Sequence, residues 1–260
     1  MGIEIFNPSR FAVGLTSGVQ FNNFGNKIHF GQSLEKDSFQ SSSPMRLVNE
    51  TVIKNMIAQN PELKKLLNEN KIPIRLNMQE LRELTDGHCK TTQEFAGMIA
   101  KNLPQALKQH VNLKDLKDAA ILHDFGKVLI PPEILNKHGK LTDEEHKIMD
   151  LHSIIGYEML KNSGVNDEVL KLVRFHHNNF EEKGAKRDYI PDINLQILNI
   201  ADKYSALTEK RVYKEALTPK QALTIIYSDV KKGNVHPFLF QALVKAVTPP
   251  QPVKIVKNQT

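Results

Sequence analysis

The stretch HDFGKVLIPPEILNKHGKLTDEEHKIMDLHSIIGYEML, residues 123–160, decides both the fold class and the chemistry that we expect of this chain. In its second half, Thr142 with Glu145 three residues later forms the capping-box pattern that begins a helix. Its first half follows another amphipathic run, LKDLKDAAIL. The apolar residues of that run can share one side of a helix: Leu113, Leu116, Ala119, Ala120 and Leu122.

Helical patterns continue on both sides of this stretch. Pro61, Pro219 and Pro237 each stand where the first residue of a helix is expected. No window alternates as a half-buried strand would. The sequence therefore predicts an all-α fold of about eight to ten helices. The runs with apolar residues at helical spacing are 45–59, 61–70, 78–88, 93–103, 167–180, 193–210, 218–230 and 236–247.

The two ends of the chain lack this periodicity. Residues 1–44 hold six of the twelve Phe residues, scattered among Asn, Ser and Gly. They predict a poorly structured tail, or alternatively a segment that docks on a partner protein through its Phe side chains. We expect a helical lead-in over 45–79, a catalytic domain over 80–247 and a C-terminal tail over 248–260.

Composition excludes several kinds of site. A single cysteine, Cys89, rules out a disulfide framework, a four-cysteine zinc module and an iron–sulfur cluster. No apolar run reaches the ~20 residues that span a bilayer, and the first residues lack a secretory pattern, so we predict a cytoplasmic protein with no membrane partner. The net charge of +6 is a weak indication of nucleic-acid binding. Ten His residues remain, and a metal would need imidazole and carboxylate ligands.

Candidate ligands of that kind recur near predicted helix ends. Taken alone, the pair His123-Asp124 is better explained as a capping Asp beside a half-buried His than as a metal site. Asp202 lies on an apolar helical run, where a buried carboxylate is costly unless it is paired or binds metal. His88 is expected to open a helix and His152 to close one. The candidates are His88, His123, Asp124, His152, His176, His177 and Asp202. Seven such donors on five helices can hold two metal ions with a bridging water.

The pattern resembles the HD-GYP family of the HD-domain phosphohydrolase superfamily. The shared motifs are HDxGK, IPxxIL, the KHGKLT run, the His pair at 176–177 and ADKYSALTEKRVYK, and they extend over about residues 80–246. The resemblance implies an HD-domain helical bundle with two metal ions, iron or manganese first, with magnesium, zinc or nickel as further candidates. It also implies a bacterial signalling enzyme that hydrolyses cyclic di-GMP through attack by a metal-bridging hydroxide.

Residue roles follow from the resemblance position by position. The seven candidates match the family's metal ligands, and Asp124 matches a metal-bridging or water-holding carboxylate. Asp202 matches the second such carboxylate. Lys127 matches the lysine near the scissile phosphate, so Asp124 and Lys127 are the expected catalytic residues. Arg211 and Lys214 match basic residues that contact substrate phosphates. Cys89 is outside the pattern and is interpreted as a small packing residue.

Two departures from the family bear on function. After His177 the family has a loop with Gly-Tyr-Pro, whereas this chain has the shorter NNFEEKGAKRDYIP, which leaves the substrate open. Leu84 stands where members with three metals have Glu, so we expect two metals. The alternative to an enzyme is a non-catalytic module that binds a nucleotide or a partner protein.

Overall fold

The computed structural model describes residues 44–177, 192–210 and 215–248, and these form helices and connecting turns without a strand. The all-α prediction is confirmed, although the described residues form more helices than expected because several are a single turn long. The α-helices are α1 (Glu50–Ala58), α2 (Pro61–Glu69), α3 (Met78–Leu84), α4 (Lys90–Asn102), α5 (Gln105–Lys108), α6 (Leu113–Leu122), α7 (Pro132–Leu135), α8 (Asp143–Asp150), α9 (His152–Leu160), α10 (Asp167–Phe175), α11 (Ile193–Thr208), α12 (Pro219–Lys231) and α13 (Pro237–Val247). Short 3₁₀ turns occupy Pro44–Leu47 and Phe125–Leu129.

Helix starts follow the capping signals in the sequence. The Thr142 side chain caps α8 and Glu145 completes the capping box, as predicted. Thr218 and Gln221 form the same box on α12. The three predicted prolines stand in the first turn of α2, α12 and α13. These caps satisfy backbone N–H groups that a helix start leaves without a partner.

The core lies around α4 and α6. Helix α4 packs against α6, α11 and α13, while α9 packs against α10 and the 3₁₀ turn Phe125–Leu129. In α6 four of the predicted apolar residues are buried, namely Leu116, Ala119, Ala120 and Leu122. Leu113 was expected to join them and is instead 37% exposed, because it is the first residue of the helix and lies away from the core.

Two predicted helix boundaries are wrong, and both concern candidate ligands. His88 was expected to open a helix, but it lies in a π-helical turn, Thr85–Cys89, that joins α3 to α4 in one helical run. His152 was expected to close a helix, but α8 ends at Asp150 and His152 is the first residue of α9. Apolar spacing continues across both positions, so periodicity alone does not reveal the change.

A close backbone approach fixes the start of α9. A Cβ atom on Gly126 would overlap the carbonyl oxygen of His152 and would lie 2.5 Å from the backbone nitrogen of Gly156. Only glycine fits such a contact. The turn that follows His123-Asp124 is therefore held directly against the helix that carries His152. Within the described ranges, no helix combines the length and apolar character that a membrane crossing requires.

Candidate metal centre

Five separate elements bring the seven predicted ligand residues into one place. His88 comes from the π-helical turn, His123 and Asp124 from the end of α6, and His152 from the start of α9. The remaining candidates are His176 and His177, which directly follow α10, and Asp202, which lies within α11. Their donor atoms form two groups, which are described in turn.

The first group, here the His88 cluster, consists of His88, His123 and Asp202. Their donor atoms all lie within 4.8 Å of one another. Asp202 Oδ1 is 2.9 Å from His88 Nε2 and 3.7 Å from His123 Nε2. Burial disfavours the charged form of Asp202, but the His123 and His88 rings outweigh it and hold the pKa of this carboxyl well below its usual range.

The second group, here the His152 cluster, consists of His152, His176 and His177. His152 Nε2 lies 3.2 Å from His176 Nε2 and 3.0 Å from His177 Nε2. Burial lowers the pKa of His152 to about 3 and also lowers the pKa of His176 and His177. Neutral imidazole, the form that binds metal, is therefore the state that this environment favours.

Asp124 lies between the two clusters. Its Oδ2 atom is 3.5 Å from His123 Nε2 and 3.7 Å from His88 Nε2, while its Oδ1 atom is 3.4 Å from His152 Nε2. Its side chain is almost completely buried. Burial raises the pKa of this carboxyl, but the Lys127 ammonium 2.7 Å away and the surrounding imidazoles lower it well below the usual range. One ionised carboxylate therefore presents an oxygen to each cluster.

Hydrogen bonds fix which ring nitrogen faces the centre. Nδ1 of His123, His152 and His176 lies 2.9, 2.6 and 2.7 Å from the backbone carbonyl three residues earlier. A carbonyl only accepts, so Nδ1 must carry the proton and donate. In the neutral ring Nε2 then has a free lone pair, and this is the tautomer in which a histidine ligates a metal through Nε2.

The arrangement fits a divalent metal ion. Nε2 of His123 is fully buried and has no hydrogen-bond partner among the described residues, which is costly for a buried polar atom. Nε2 of His152 and Nε2 of His176 face each other at 3.2 Å, although both must be acceptors. Two lone pairs at this distance repel unless a cation lies nearby. The chain therefore has His and Asp groups that can hold a metal ion.

Two residues beside His88 were missed by the sequence analysis. Glu209 Oε2 lies 3.0 Å from His88 Nδ1, and the Ser205 hydroxyl lies 3.2 Å from the same atom. Burial opposes protonation of His88, but the hydrogen bonds to Asp202 and Glu209 outweigh it and raise the pKa of His88 to about 9. A signal for these residues exists: 202, 205 and 209 have the i, i+3, i+7 spacing of one helix face.

Cys89 is closer to the centre than its interpretation as a packing residue implied. It is buried, as expected of a packing residue, and burial raises the pKa of its thiol well above the usual value. Its sulfur nevertheless lies within 4.8 Å of donor atoms of His123 and Asp124. The thiol is thus a neighbour of the predicted ligands as well as a core side chain.

Of the remaining predicted site residues, some lie in the described part of the chain and others lie outside it. Lys127 is placed, with its ammonium on Asp124 Oδ2 and its side chain 14% exposed. His177 is exposed and Asp202 is partly so, which gives the centre an accessible side. Arg211, Lys214 and the loop that replaces Gly-Tyr-Pro lie outside the described residues, as do 1–43 and 249–260 of the predicted tails.

Comparison with known proteins identifies the family of the chain. The HD domain family matches residues 51–236. The chain is 32% identical over 150 residues to the cyclic di-GMP phosphodiesterase response regulator RpfG of Xanthomonas campestris pv. campestris, an alignment over 55% of this chain and 39% of RpfG. It is 26% identical over 166 residues to the 3'3'-cGAMP-specific phosphodiesterase 1 of Vibrio cholerae, over 63% of this chain and 38% of that protein.

A solved structure shows the same fold. The chain matches an HDG"Y"P protein from Bdellovibrio bacteriovorus with a TM-score of 0.51 and 15% sequence identity, over 78% of this chain and 67% of that one. The chain spans about two-fifths of the length of the two curated relatives. The family match covers more than half of the chain and includes every predicted metal ligand. The chain therefore belongs to the HD domain family, with relatives of the HD-GYP type, and the resemblance in the HDFGK stretch is confirmed.

Proposed function

We propose that this chain is a metal-dependent phosphodiesterase that hydrolyses a cyclic dinucleotide, with cyclic di-GMP as the first candidate substrate. The observation that carries the proposal is the position of Asp124, whose two carboxylate oxygens face two different three-residue clusters. The names of the curated relatives, which act on cyclic di-GMP and 3'3'-cGAMP, support the substrate class.

Two divalent ions suit this donor set. The His88 cluster would hold one ion and the His152 cluster the other, with Asp124 shared between them. A set rich in imidazole favours iron, zinc or nickel over magnesium, while the carboxylates of Asp124 and Asp202 also suit manganese. Such ions, when bound, lower the pKa of water and stabilise the negative charge of a phosphodiester under attack. Leu84, an apolar residue in the position from which Glu would add a third site, is consistent with two ions.

The protein's own groups position the substrate. Lys127 is a point charge beside Asp124, and its contact with Oδ2 keeps the ammonium at the rim of the centre. We assign it to a phosphate oxygen of the substrate. We assign Arg211 and Lys214, from their place in the sequence after Glu209, to further phosphate oxygens.

The test is hydrolysis with a defined metal load. The full chain is loaded with Fe²⁺ or Mn²⁺ and incubated with cyclic di-GMP, 3'3'-cGAMP and cyclic di-AMP, and the products are separated and identified. We expect a linear dinucleotide or mononucleotide from at least one of them. Asp124→Asn should lose both bound metal and activity, because it removes the charge that the two clusters share. Glu83→Gln, on the exposed side of α3, is the matched control.

A second candidate function is a non-catalytic module that binds a nucleotide or a partner protein, with the Phe-rich segment 1–44 as the protein contact. The missing Gly-Tyr-Pro sequence after His177 favours it. The complete donor set argues for the enzyme, since a scaffold does not need it. Native protein that is purified without bound metal and hydrolyses none of the dinucleotides after loading would decide for the module.

A further inference from the structure

The ring of His88 is held by two side chains that are not among the predicted metal ligands, Ser205 on α11 and Glu209 directly after the end of α11. Glu209 Oε2 lies 3.0 Å from His88 Nδ1. The Ser205 hydroxyl donates to Glu209 Oε1 over 2.6 Å and lies 3.2 Å from the same ring nitrogen. We infer that Glu209, oriented by Ser205, is a positioning residue that turns Nε2 of His88 toward the metal centre. This inference rests on the proposed metal centre.

His88 differs from the other buried histidines in how its ring is fixed. Three of them donate Nδ1–H to the backbone carbonyl three residues earlier. Nδ1 of His88, in the π-helical turn, contacts the Glu209 carboxylate instead. A hydrogen bond to an ionised acceptor is stronger than one to a neutral carbonyl. It also fixes the tautomer and makes the imidazole a better ligand.

Burial and spacing make this contact specific. The His88 side chain is 5% exposed, that of Glu209 is 22% exposed, and Ser205 is fully buried. Asp202 and Ser205 lie on α11 and Glu209 is the residue directly after it, so one segment supplies both a candidate ligand and the groups that orient another candidate ligand. The extra negative charge lies behind His88 and strengthens the attraction of the cluster for a cation.

Metal affinity of the full chain tests the inference without any substrate. Mn²⁺ binding is measured by competition with a chelator for wild type, Glu209→Ala, Glu209→Gln and Ser205→Ala. Glu209→Ala should weaken Mn²⁺ binding about 10- to 100-fold, the usual effect of losing such a partner. Glu209→Gln should lose less, because the amide oxygen still accepts from Nδ1–H. Glu215→Ala, an exposed carboxylate paired with Lys210, should bind as wild type does.

Denaturant unfolding of each variant in chelator distinguishes a positioning role of Glu209 from a role in stability alone. Positioning predicts that Glu209→Gln unfolds at the wild-type denaturant midpoint while its Mn²⁺ affinity falls. Wild-type Mn²⁺ affinity in Glu209→Ala and Glu209→Gln, or a loss of affinity that only follows a loss of stability in chelator, would overturn the inference. Wild-type protein that binds Mn²⁺ but hydrolyses no dinucleotide would overturn the proposed function alone, since the affinity ratio is read without substrate.

Discussion

At the scale of single residues, His123 is a side chain whose environment lowers folding stability and suits metal binding. Its ring is completely buried, Nδ1 donates to the Ala120 carbonyl, and Nε2 has no hydrogen-bond partner in the part of the chain that the structure describes. An unsatisfied buried polar atom costs about 1–3 kcal/mol, whereas a typical hydrogen bond contributes about 1 kcal/mol. A histidine kept under such conditions is better explained by a ligand than by the fold.

His123→Leu should therefore leave the metal-free protein within about 1 kcal/mol of wild type, since the lost hydrogen bond is offset by removal of the orphaned nitrogen. Wild type should gain about 2.7 kcal/mol when Mn²⁺ is present at 100 times its dissociation constant, and the variant should lose most of this gain. Denaturant unfolding in chelator and in Mn²⁺ measures both. His146→Leu, on the exposed face of α8, is the control. An unchanged gain in His123→Leu would show that this ring is not a ligand.

Lys127 should act on the substrate rather than on the metal. Its ammonium lies 2.7 Å from Asp124 Oδ2, so it opposes a cation at that oxygen while offering a charge to a phosphate. Lys127→Met should keep or tighten Mn²⁺ binding and reduce kcat for cyclic dinucleotide hydrolysis by about 10²–10³-fold. Lys90→Met, which removes an exposed lysine paired with Asp86, should change neither quantity. If Lys127→Met lowers metal content and activity together, the lysine supports the centre instead.

The candidate ligand residues could be named from sequence because their types and spacing form a linear pattern, and their role as metal ligands stays a prediction. Glu209 could not be assigned in this way, because its role depends on how α11 packs against the π-helical turn that carries His88. Cys89 illustrates the same limit. Its burial was predicted from its chemistry, but its distance to His123 and Asp124 is a property of the packed chain.

At the scale of helices and turns, capping residues and prolines predict where a helix begins better than where a helical run is interrupted. The starts of α8, α12 and α13 follow from a capping side chain or a proline in the first turn. The sequence around residue 151 does not predict the break between α8 and α9. The break coincides with the contact between Gly126 and the His152 carbonyl, two residues that are distant in sequence. This contact determines where His152, a candidate ligand, lies, so the local fold and the candidate centre depend on the same glycine.

Gly126→Ala tests that dependence. The added Cβ meets backbone atoms of His152 and Gly156, which cannot rotate away, so we expect destabilisation at or above the upper end of the ~1–3 kcal/mol typical of overpacking. Metal binding should fall with it, because the start of α9 must shift. Gly97→Ala in α4 is the matched control: its Cβ would lie 3.5 Å from a flexible Lys117 carbon, and helix propensity predicts a gain of up to about 1 kcal/mol. A Gly126→Ala protein that keeps wild-type stability would contradict this account.

At the scale of the whole molecule, the question is whether the lead-in, predicted as a segment over 45–79, unfolds separately from the domain predicted over 80–247. Its residues Ile53, Leu63 and Leu67 are fully buried in the same core cluster as α9 and α11. The Asn60 side chain caps α2 and also donates to the Glu158 carbonyl on α9 over 2.6 Å. The family match begins at residue 51, within this lead-in. Shared burial of this kind favours one cooperative unit.

We therefore predict that Asn60→Ala lowers the stability of the whole domain by about 1–3 kcal/mol, because it leaves buried polar groups without their partner. Helix content by circular dichroism and release of bound Mn²⁺ should shift together to lower denaturant. Asn49→Ala is the matched control: among the described residues the Asn49 side chain contacts only the Thr51 and Val52 N–H groups of α1, and its loss should cost about 1 kcal/mol. If the lead-in unfolded separately from the rest of the domain, circular dichroism would show two transitions. Asn60→Ala would then move only the first transition to lower denaturant, and Mn²⁺ release would keep its wild-type midpoint.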